Sequence, residues 1–197
     1  QINYELISRN LLTLRNKQKP HEECRITYGH LFNCCGTQAD RIAKKFGLAE
    51  NYIILPFKGI YWKLKSKSNI KIKTNLYPVP DLDIPFLGVH ATPGLDGTVH
   101  FGPTALPALG RENYKVFESI EPIMAIDFFK ELINQWMQNK GGFRSYAKEQ
   151  AFQGLKPIFF RAAKQLIPSL KIEDLIPSEK IGIRAQLYDK NTATLIQ

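Results

Sequence analysis

The chain has 197 residues, of which 44% are hydrophobic and 23% are charged, and a chain of this length buries roughly 70% of the surface that its unfolded form exposes. A globular fold with a hydrophobic core is therefore expected. No segment approaches the ~20 consecutive apolar residues of a membrane-spanning helix, which excludes that class.

The formal net charge of +9 suits an anionic partner, whether nucleic acid, acidic lipid or an anionic metabolite. However, many lysines alternate with apolar residues in segments 61–65 and 69–73, and this alternation is typical of a half-buried strand with one solvated face. We therefore interpret four of them as a solvated strand face: Lys63, Lys65, Lys71 and Lys73.

The number and spacing of the three cysteines indicate a reducing cellular compartment. Their number is odd, and Cys34 and Cys35 stand side by side within an apolar run, so we expect them to be small core residues in a reducing compartment. The chain begins at Gln1 without a basic leader or an apolar signal core, which predicts no secretory signal. A cytoplasmic location is the expectation.

The first 51 residues predict a partial domain. A loose alternation over 2–15 indicates a strand and a turn, the apolar run at 30–35 indicates a second strand, and Gly36 indicates a tight turn. Residues 39–47 have helical spacing and end in a glycine.

From residue 52 to 101 the pattern predicts an antiparallel sheet, because short apolar runs alternate with proline and glycine. The Asp96-Gly97 pair predicts a hairpin between the last two strands. The predicted strands are 53–57, 61–64, 70–76, 86–92 and 98–101.

The remainder of the chain predicts three helices and a final strand. An apolar stripe over 125–136 predicts a helix that ends at Gly141 and Gly142; a second helical region holds 146–152, and a third runs from Pro157 to a stop before Pro168. Residues 181–187 predict a strand. The fold class is α+β: a domain at about 52–180 between a partial domain at 1–51 and a return strand within 181–197.

Several segments, in order along residues ~30–187, resemble the L-2-hydroxyglutarate oxidase and dehydrogenase family, within the larger group of flavoenzymes that includes glycine oxidase and D-amino-acid oxidase. Five elements in the same order are a specific signal, although each alone is weak. The matching segments are residues 31–41 (LFNCCGTQADR), 56–61 (PFKGIY), 76–80 (LYPVP), 86–92 (FLGVHAT) with 96–97 (DG) and 102–105 (GPTA), and 182–186 (GIRAQ).

This resemblance implies FAD as the cofactor, with 1–51 and 181–197 as remnants of a Rossmann-like FAD-binding domain and 52–180 as the substrate-binding domain. The family's glycine-rich pyrophosphate turn has no counterpart here, and Gly36 alone does not replace it. The family's C-terminal flavin-covering segment has no counterpart either. We expect the chain to be the middle portion of a protein about twice as long, inactive by itself and a weak binder of FAD.

Arg184 is the first candidate site residue. Its guanidinium can hold a carboxylate through two parallel hydrogen bonds, and the resemblance implies an arginine at this Gly-x-Arg strand that faces the substrate. The alternative is an ordinary surface arginine on an edge strand.

His90 is the candidate proton acceptor, because oxidation of an alcohol requires its hydroxyl proton to leave and an imidazole titrates near neutral pH. The alternative is a hydrogen-bonded sheet histidine. We expect Arg184 and His90 to converge on one anion pocket. His100 can approach His90 across the hairpin, but two histidines without a further ligand are a poor metal site, so no metal is predicted.

A dicarboxylate substrate has a second carboxylate that also needs binding partners. The candidates are Lys58, Tyr61 and Tyr77; the alternative is that each side chain is simply packed or solvated. Three glycines are candidate flavin contacts, with ordinary turns and bulges as the alternative: Gly36, Gly59 and Gly88.

The favoured hypothesis is an FAD-dependent enzyme that oxidises L-2-hydroxyglutarate or a similar 2-hydroxy acid by hydride transfer, with oxygen or the quinone pool as electron acceptor. Two alternatives stay open: an amino-acid oxidase acting on glycine or sarcosine, and a basic binding module without catalysis. Nucleic acid is not an expected partner because no recognised motif accompanies the charge. Peripheral association with the inner membrane, through a basic surface, is compatible with the favoured hypothesis.

Overall fold

The computed structural model describes residues 2–8, 10–16, 19, 21–80, 88–115 and 117–196. Strands and helices in these ranges confirm the predicted α+β class. The strands are β1 (Ile2–Ser8), β2 (Leu11–Asn16), β3 (Glu23–Thr27), β4 (Tyr52–Leu64), β5 (His90–Pro93), β6 (Val99–Gly102), β7 (Leu106–Pro107), β8 (Leu175–Asp189) and β9 (Thr194–Leu195). The helices are α1 (Ala39–Lys45), α2 (Pro122–Gln138), α3 (Phe143–Gln153) and α4 (Lys156–Leu166).

The strands form two antiparallel sheets. The first is a meander of β1, β2 and β3, and the second has the order β5-β6-β4-β8-β9, with β7 also paired to β4. Because β8 returns from the end of the chain to lie beside β4, residues more than a hundred positions apart become neighbours in the larger sheet.

The β4–β8 ladder is the longest pairing, from Tyr52 opposite Asp189 to Leu64 opposite Leu175. The two strands predicted at 53–57 and 61–64 are one strand, because Gly59 continues the ladder opposite Gly182. The predicted tail strand is confirmed but starts earlier. Residue 181 therefore lies inside β8, and the domain boundaries remain predictions.

The predicted hairpin is confirmed by the pairing of β5 with β6. In its turn the Gly94 N–H donates to the Thr98 carbonyl at 2.8 Å, and Gly97 has a φ of +79°, a conformation that favours glycine. The first two residues of the strand predicted at 86–92 lie outside the described residues.

Two predicted strands are wrong. Segment 30–35 pairs with no described strand, and in 70–76 a single bridge joins Leu76 to Ala91. An alternating or apolar run becomes a strand where another strand hydrogen bonds to it, and the chain's local pattern does not supply that neighbour. The prediction that Cys34 and Cys35 are core residues is also wrong, because no described strand pairs with this segment and both side chains are exposed, as is Cys24. The predicted compartment stays a prediction.

The three predicted helices are confirmed, with one shifted end. α2 ends at Gln138 rather than at Gly141, because Asn139 adopts the left-handed conformation (φ 49°) that terminates a helix. The two-residue strands β7 and β9 are too short for a pattern to predict. In the described part of the chain, every helix is either too short or too polar to cross a membrane.

Two apolar clusters hold the larger sheet against the helices. In the first, Phe101 of β6, Phe159 and Ala163 of α4 and Leu175 of β8 are all fully buried. In the second, Phe57 of β4 meets Phe128 of α2 edge-to-face, with ring centroids 5.2 Å apart. The helices therefore fix the sheet from which the site residues project.

A buried carboxylate links α1 both to the segment that follows β7, through an ion pair, and to the start of β4, through a backbone hydrogen bond. The Asp40 carboxylate accepts hydrogen bonds from the Arg111 guanidinium, at 2.5 and 2.8 Å, and from the Ile54 N–H at 3.0 Å. Burial alone would raise the pKa of Asp40, but these hydrogen bonds outweigh it and hold the pKa below its ordinary value. The carboxylate is thus charged and fixed at neutral pH.

The first cluster predicts the cost of truncating Phe159. We expect Phe159→Ala to lower the free energy of unfolding by about 3 to 5 kcal/mol, because it leaves a cavity beneath β5 and β6. Denaturant unfolding measures this, and the 89% exposed Phe117 supplies the matched control, with an expected change in Phe117→Ala within about 0.5 kcal/mol. Equal effects of the two substitutions would contradict the assigned core.

Candidate functional site

A cavity of about 230 Å³ opens on one face of the β4–β8 ladder. Larger cavities lie beside Arg111 (about 510 Å³) and Lys71 (about 870 Å³), but no histidine lines either one. The smaller cavity is the candidate site because it combines an imidazole, a guanidinium and a phenol. Its lining includes Gly59, Tyr61, His90, Thr104, Gly182 and Arg184.

The strand register explains this grouping. Arg184 lies directly opposite Phe57, and Gly182 lies opposite Gly59. Side chains directly opposite each other project to the same face of a sheet, and so do side chains two positions apart along a strand. The alternating residues of each strand therefore share the face of the cavity.

Arg184 and His90 both line this cavity, so the structure brings the two groups to one place. That the cavity binds an anion, and the roles of the two residues, remain predictions. The Arg184 side chain is exposed. Its positive charge reaches Tyr146, where burial raises the pKa of the phenol and the arginine partly opposes that rise. The guanidinium thus projects toward solvent at the rim.

His90 is half-buried and held by its own strand. Its Nδ1 lies 3.2 Å from the Gly88 carbonyl oxygen, which can only accept, so Nδ1 carries the proton and Nε2 has the free lone pair. Burial lowers the pKa of His90, the Gly88 carbonyl raises it, and the charge of Lys180 lowers it further, with a net decrease. The imidazole is therefore neutral at neutral pH and can accept a proton through Nε2.

The two predicted tyrosines occupy different places. Tyr61 lines the cavity, and burial raises its pKa, so its phenol stays protonated. Tyr77 packs on the His90 ring, with centroids 4.7 Å apart, and is not part of the cavity wall. Tyr77 thus contacts the imidazole from its outer side.

Lys58 projects away from the cavity, because it is adjacent in sequence to two cavity residues and side chains alternate along a strand. Its ammonium donates to the Asn113 Oδ1 at 2.8 Å and to the Lys115 carbonyl at 3.2 Å. Burial lowers its pKa. The structure does not bring Lys58 together with His90 and Arg184.

Sequence reasoning missed Lys180. Its ammonium lies 4.8 Å from the centroid of the Tyr61 ring, and its charge acts on His90. A simple two-residue period could not have found it, because Lys180 lies where the β4–β8 register shifts, between Ile60 opposite Ile181 and Trp62 opposite Pro177. Lys180 provides a second cation beside the cavity, which Lys58 does not.

The three candidate flavin glycines are separated. Gly59 lines the cavity, but a Cβ there would lie 2.5 Å from the Pro103 Cβ, so its small size admits Pro103. Gly88 presents its carbonyl to His90, and Gly36 stands at the turn before α1 with a φ of +51°. Neither Gly36 nor Gly88 lines the cavity.

The residues present fit one end of a flavin. A Cβ at Gly182 would meet no heavy atom within 4 Å, so the ladder is open on the cavity side and a flat ring can approach its backbone. The sequence has no Gly-x-Gly-x-x-Gly turn to hold a pyrophosphate. This chain therefore fits the ring end of FAD and lacks the usual phosphate cradle.

A metal centre has little support in the same region. His100 is directly opposite Thr92 on the hairpin, and its Nδ1 lies 3.1 Å from the Ser178 hydroxyl. Among the described side chains, no three histidine, cysteine, aspartate or glutamate residues are grouped as a metal site requires.

Comparisons with known proteins identify one family. The family model described as FAD dependent oxidoreductase matches residues 8–194. Two similar proteins are the mitochondrial L-2-hydroxyglutarate dehydrogenase of Bos taurus, 35% identical over 91% of this chain, and the L-2-hydroxyglutarate dehydrogenase of Salmonella houtenae, 34% identical over 79%. The matches cover 37% and 36% of those relatives, so the chain spans little more than a third of their length.

A solved structure shows the same fold. It is the dithionite-reduced L-alpha-glycerophosphate oxidase of Mycoplasma pneumoniae with FAD bound, which matches 97% of this chain and 39% of its own, at 17% identity and a TM-score of 0.51. The family match covers most of the sequence, and the architecture agrees with it. The chain belongs to the FAD-dependent oxidoreductase family.

Proposed function

We propose that this chain forms the substrate-binding part of an enzyme that oxidises L-2-hydroxyglutarate, or a similar 2-hydroxy acid, to the 2-oxo acid. The observation that carries the proposal is the meeting of the Arg184 guanidinium and the neutral His90 imidazole at one small cavity. The names of the bovine and Salmonella houtenae relatives support the substrate class.

The two cations of β8, Arg184 and Lys180, would bind the substrate. Arg184 would hold the carboxylate next to the reacting carbon through two parallel hydrogen bonds, which fixes the orientation of that carbon. Lys180, whose ammonium lies beside the Tyr61 ring, would pair with the second carboxylate. Two cations near the cavity match a dianion better than a monoanion.

Proton removal falls to His90. When bound, FAD supplies the two-electron oxidation in which the C2 hydrogen leaves the substrate as hydride. The C2 hydroxyl must lose its proton for the ketone to form, and the Nε2 lone pair of the neutral His90 would take it. The Gly88 carbonyl holds the ring so that Nε2, rather than Nδ1, is the acceptor.

An oxidoreductase of this family also requires an electron acceptor, for which oxygen and a quinone are our two candidates. Supplying each to the FAD-loaded protein, and following reoxidation by flavin absorbance, distinguishes them. Glycine and sarcosine belong in the substrate panel, since faster turnover on either one would replace the hydroxy acid as the substrate.

Substitutions at the two central residues should have different kinetic effects in the FAD-loaded protein that contains this chain. We expect Arg184→Ala to raise KM roughly 30-fold or more, because it removes charged hydrogen bonds worth about 2 kcal/mol or more. His90→Ala should lower kcat roughly 100-fold or more. Steady-state kinetics with 2-hydroxyglutarate measures both, with His100→Ala and Arg161→Ala as matched controls. Near-normal constants for either site variant would remove its assigned role.

Lys180 should determine the preference for a dicarboxylate. We expect Lys180→Met to raise KM for 2-hydroxyglutarate roughly tenfold, because the substitution removes about one charged contact with the substrate. KM for lactate, which has a single carboxylate, should stay unchanged. Lys164→Met is the control for a general loss of positive charge. An equal change for both substrates would argue against a contact with the second carboxylate.

The pH dependence follows from the neutral imidazole. The pKa of His90 is below its ordinary value of 6.5. We therefore expect kcat/KM to stay constant as the pH falls from neutral to about 6.5, and to decrease at lower pH, where the imidazole becomes protonated. Removing the positive charge in Lys180→Met should raise the pKa of His90 and move this acid limb to higher pH. A shift to lower pH, or the same shift in Lys164→Met, would contradict the assignment.

A further inference from the structure

Segment 70–75 has the pattern of a β-strand without being part of a sheet. Ile70 and Ile72 pack against the first apolar cluster, while Lys71 and Lys73 are exposed. This alternation is the one from which a strand was predicted. The segment therefore crosses the core as an unpaired run with a bend at Thr74, immediately before the bridge between Leu76 and Ala91.

The backbone of residues 71–75 is unpaired in the described part of the chain. Its N–H and carbonyl groups make no hydrogen bond to a described residue, and pairing resumes at Leu76, whose N–H and carbonyl both bond to Ala91 at 2.9 Å. An edge of this kind is a template for another strand. If they became a strand on binding, these five residues would offer roughly 17 Å of such an edge.

A groove of about 870 Å³ runs beside this segment, with residues 166–171 on its other side. Its floor is apolar, formed in part by Ile72 and Ile167. One carboxylate lines it, that of Asp174, which accepts the Lys171 N–H at 3.0 Å. Four lysines of the lining form no ion pair with any described residue: Lys67, Lys71, Lys73 and Lys171.

We propose that residues 71–75 and this groove bind an extended, acidic segment of a partner protein, which adds a strand to the free edge. The backbone supplies the pairing, the lysines select acidic side chains, and the apolar floor accepts the alternate side chains. A second copy of this chain is a poor partner, since each copy has a net charge of +9. Lipids and nucleic acids would meet the lysines but lack the amides that pair with an edge.

The unpaired edge lies close to the candidate functional site. The segment continues through Leu76 to Tyr77, whose ring packs on His90. A bound partner strand would thus end close to the imidazole. The inference itself is independent of the substrate and of the proposed reaction.

The test uses the 197-residue chain and a labelled peptide of alternating glutamate and valine. We expect saturable binding that weakens with salt, and at least tenfold slower hydrogen exchange of the amides of 71–75 in the complex. The double substitution Lys71→Glu with Lys73→Glu should weaken binding at least tenfold. The control is Lys130→Glu with Lys148→Glu, the same charge change on exposed positions of α2 and α3, and its affinity should match that of the unmodified chain.

Further probes separate strand pairing from simple attraction of charge. A peptide in which proline replaces each valine keeps the charge but loses donors and extended pairing, so it should bind at least tenfold more weakly. Equal binding of this peptide, of phosphatidylserine vesicles or of a single-stranded oligonucleotide, without protection of the amides of 71–75, would overturn the proposal. So would equal affinities for the two double variants.

Discussion

The antiparallel pairing of β4 with β8 is the constraint on which the candidate site depends. It joins the middle of the chain to its end, and its register sets Gly59 against Gly182 and Phe57 against Arg184. A shift of one residue would send Arg184 to the opposite face, because side chains alternate along a strand. The buried rings of Phe57 and Phe128 oppose such a shift, since it would expose part of the apolar core. Packing on one face of the β4–β8 ladder thus determines which side chains line the cavity.

The electrostatic character of the candidate site comes from two cations of β8. Lys180 lies beside the Tyr61 ring and Arg184 lines the cavity, so both place positive charge near His90. The positive charge of Lys180 and the burial of the ring both keep the imidazole neutral, while the Gly88 carbonyl opposes them less strongly. Under the proposed function, the cations that attract the substrate would also keep the base uncharged, so that it could accept a proton.

The lysines of the basic surface divide into groups with different environments. Lys63 pairs with Glu179 at 2.8 Å, and Lys58 is bonded within the fold, whereas Lys71 and Lys73 line a groove beside an unpaired edge. The interpretation of Lys71 and Lys73 as an ordinary solvated strand face is therefore incomplete. A solvated strand face requires a paired strand, and segment 70–75 pairs with no described strand. Part of the net positive charge therefore lies beside the unpaired backbone of residues 71–75.

The sequence by itself determined the α+β class, the Asp96-Gly97 hairpin, the three later helices and the family, because each depends on local spacing or on short motifs. It also singled out Arg184 and His90, which the structure places at one cavity while their roles remain predictions. Only the tertiary structure decided that Lys180 rather than Lys58 flanks the cavity, that Gly59 admits Pro103, and that 30–35 and 70–75 are not strands. These outcomes depend on strand register and on which distant segment supplies the neighbouring hydrogen bonds. A local pattern shows that a residue alternates with its neighbours, but pairing between remote segments decides which face it occupies and what it meets there.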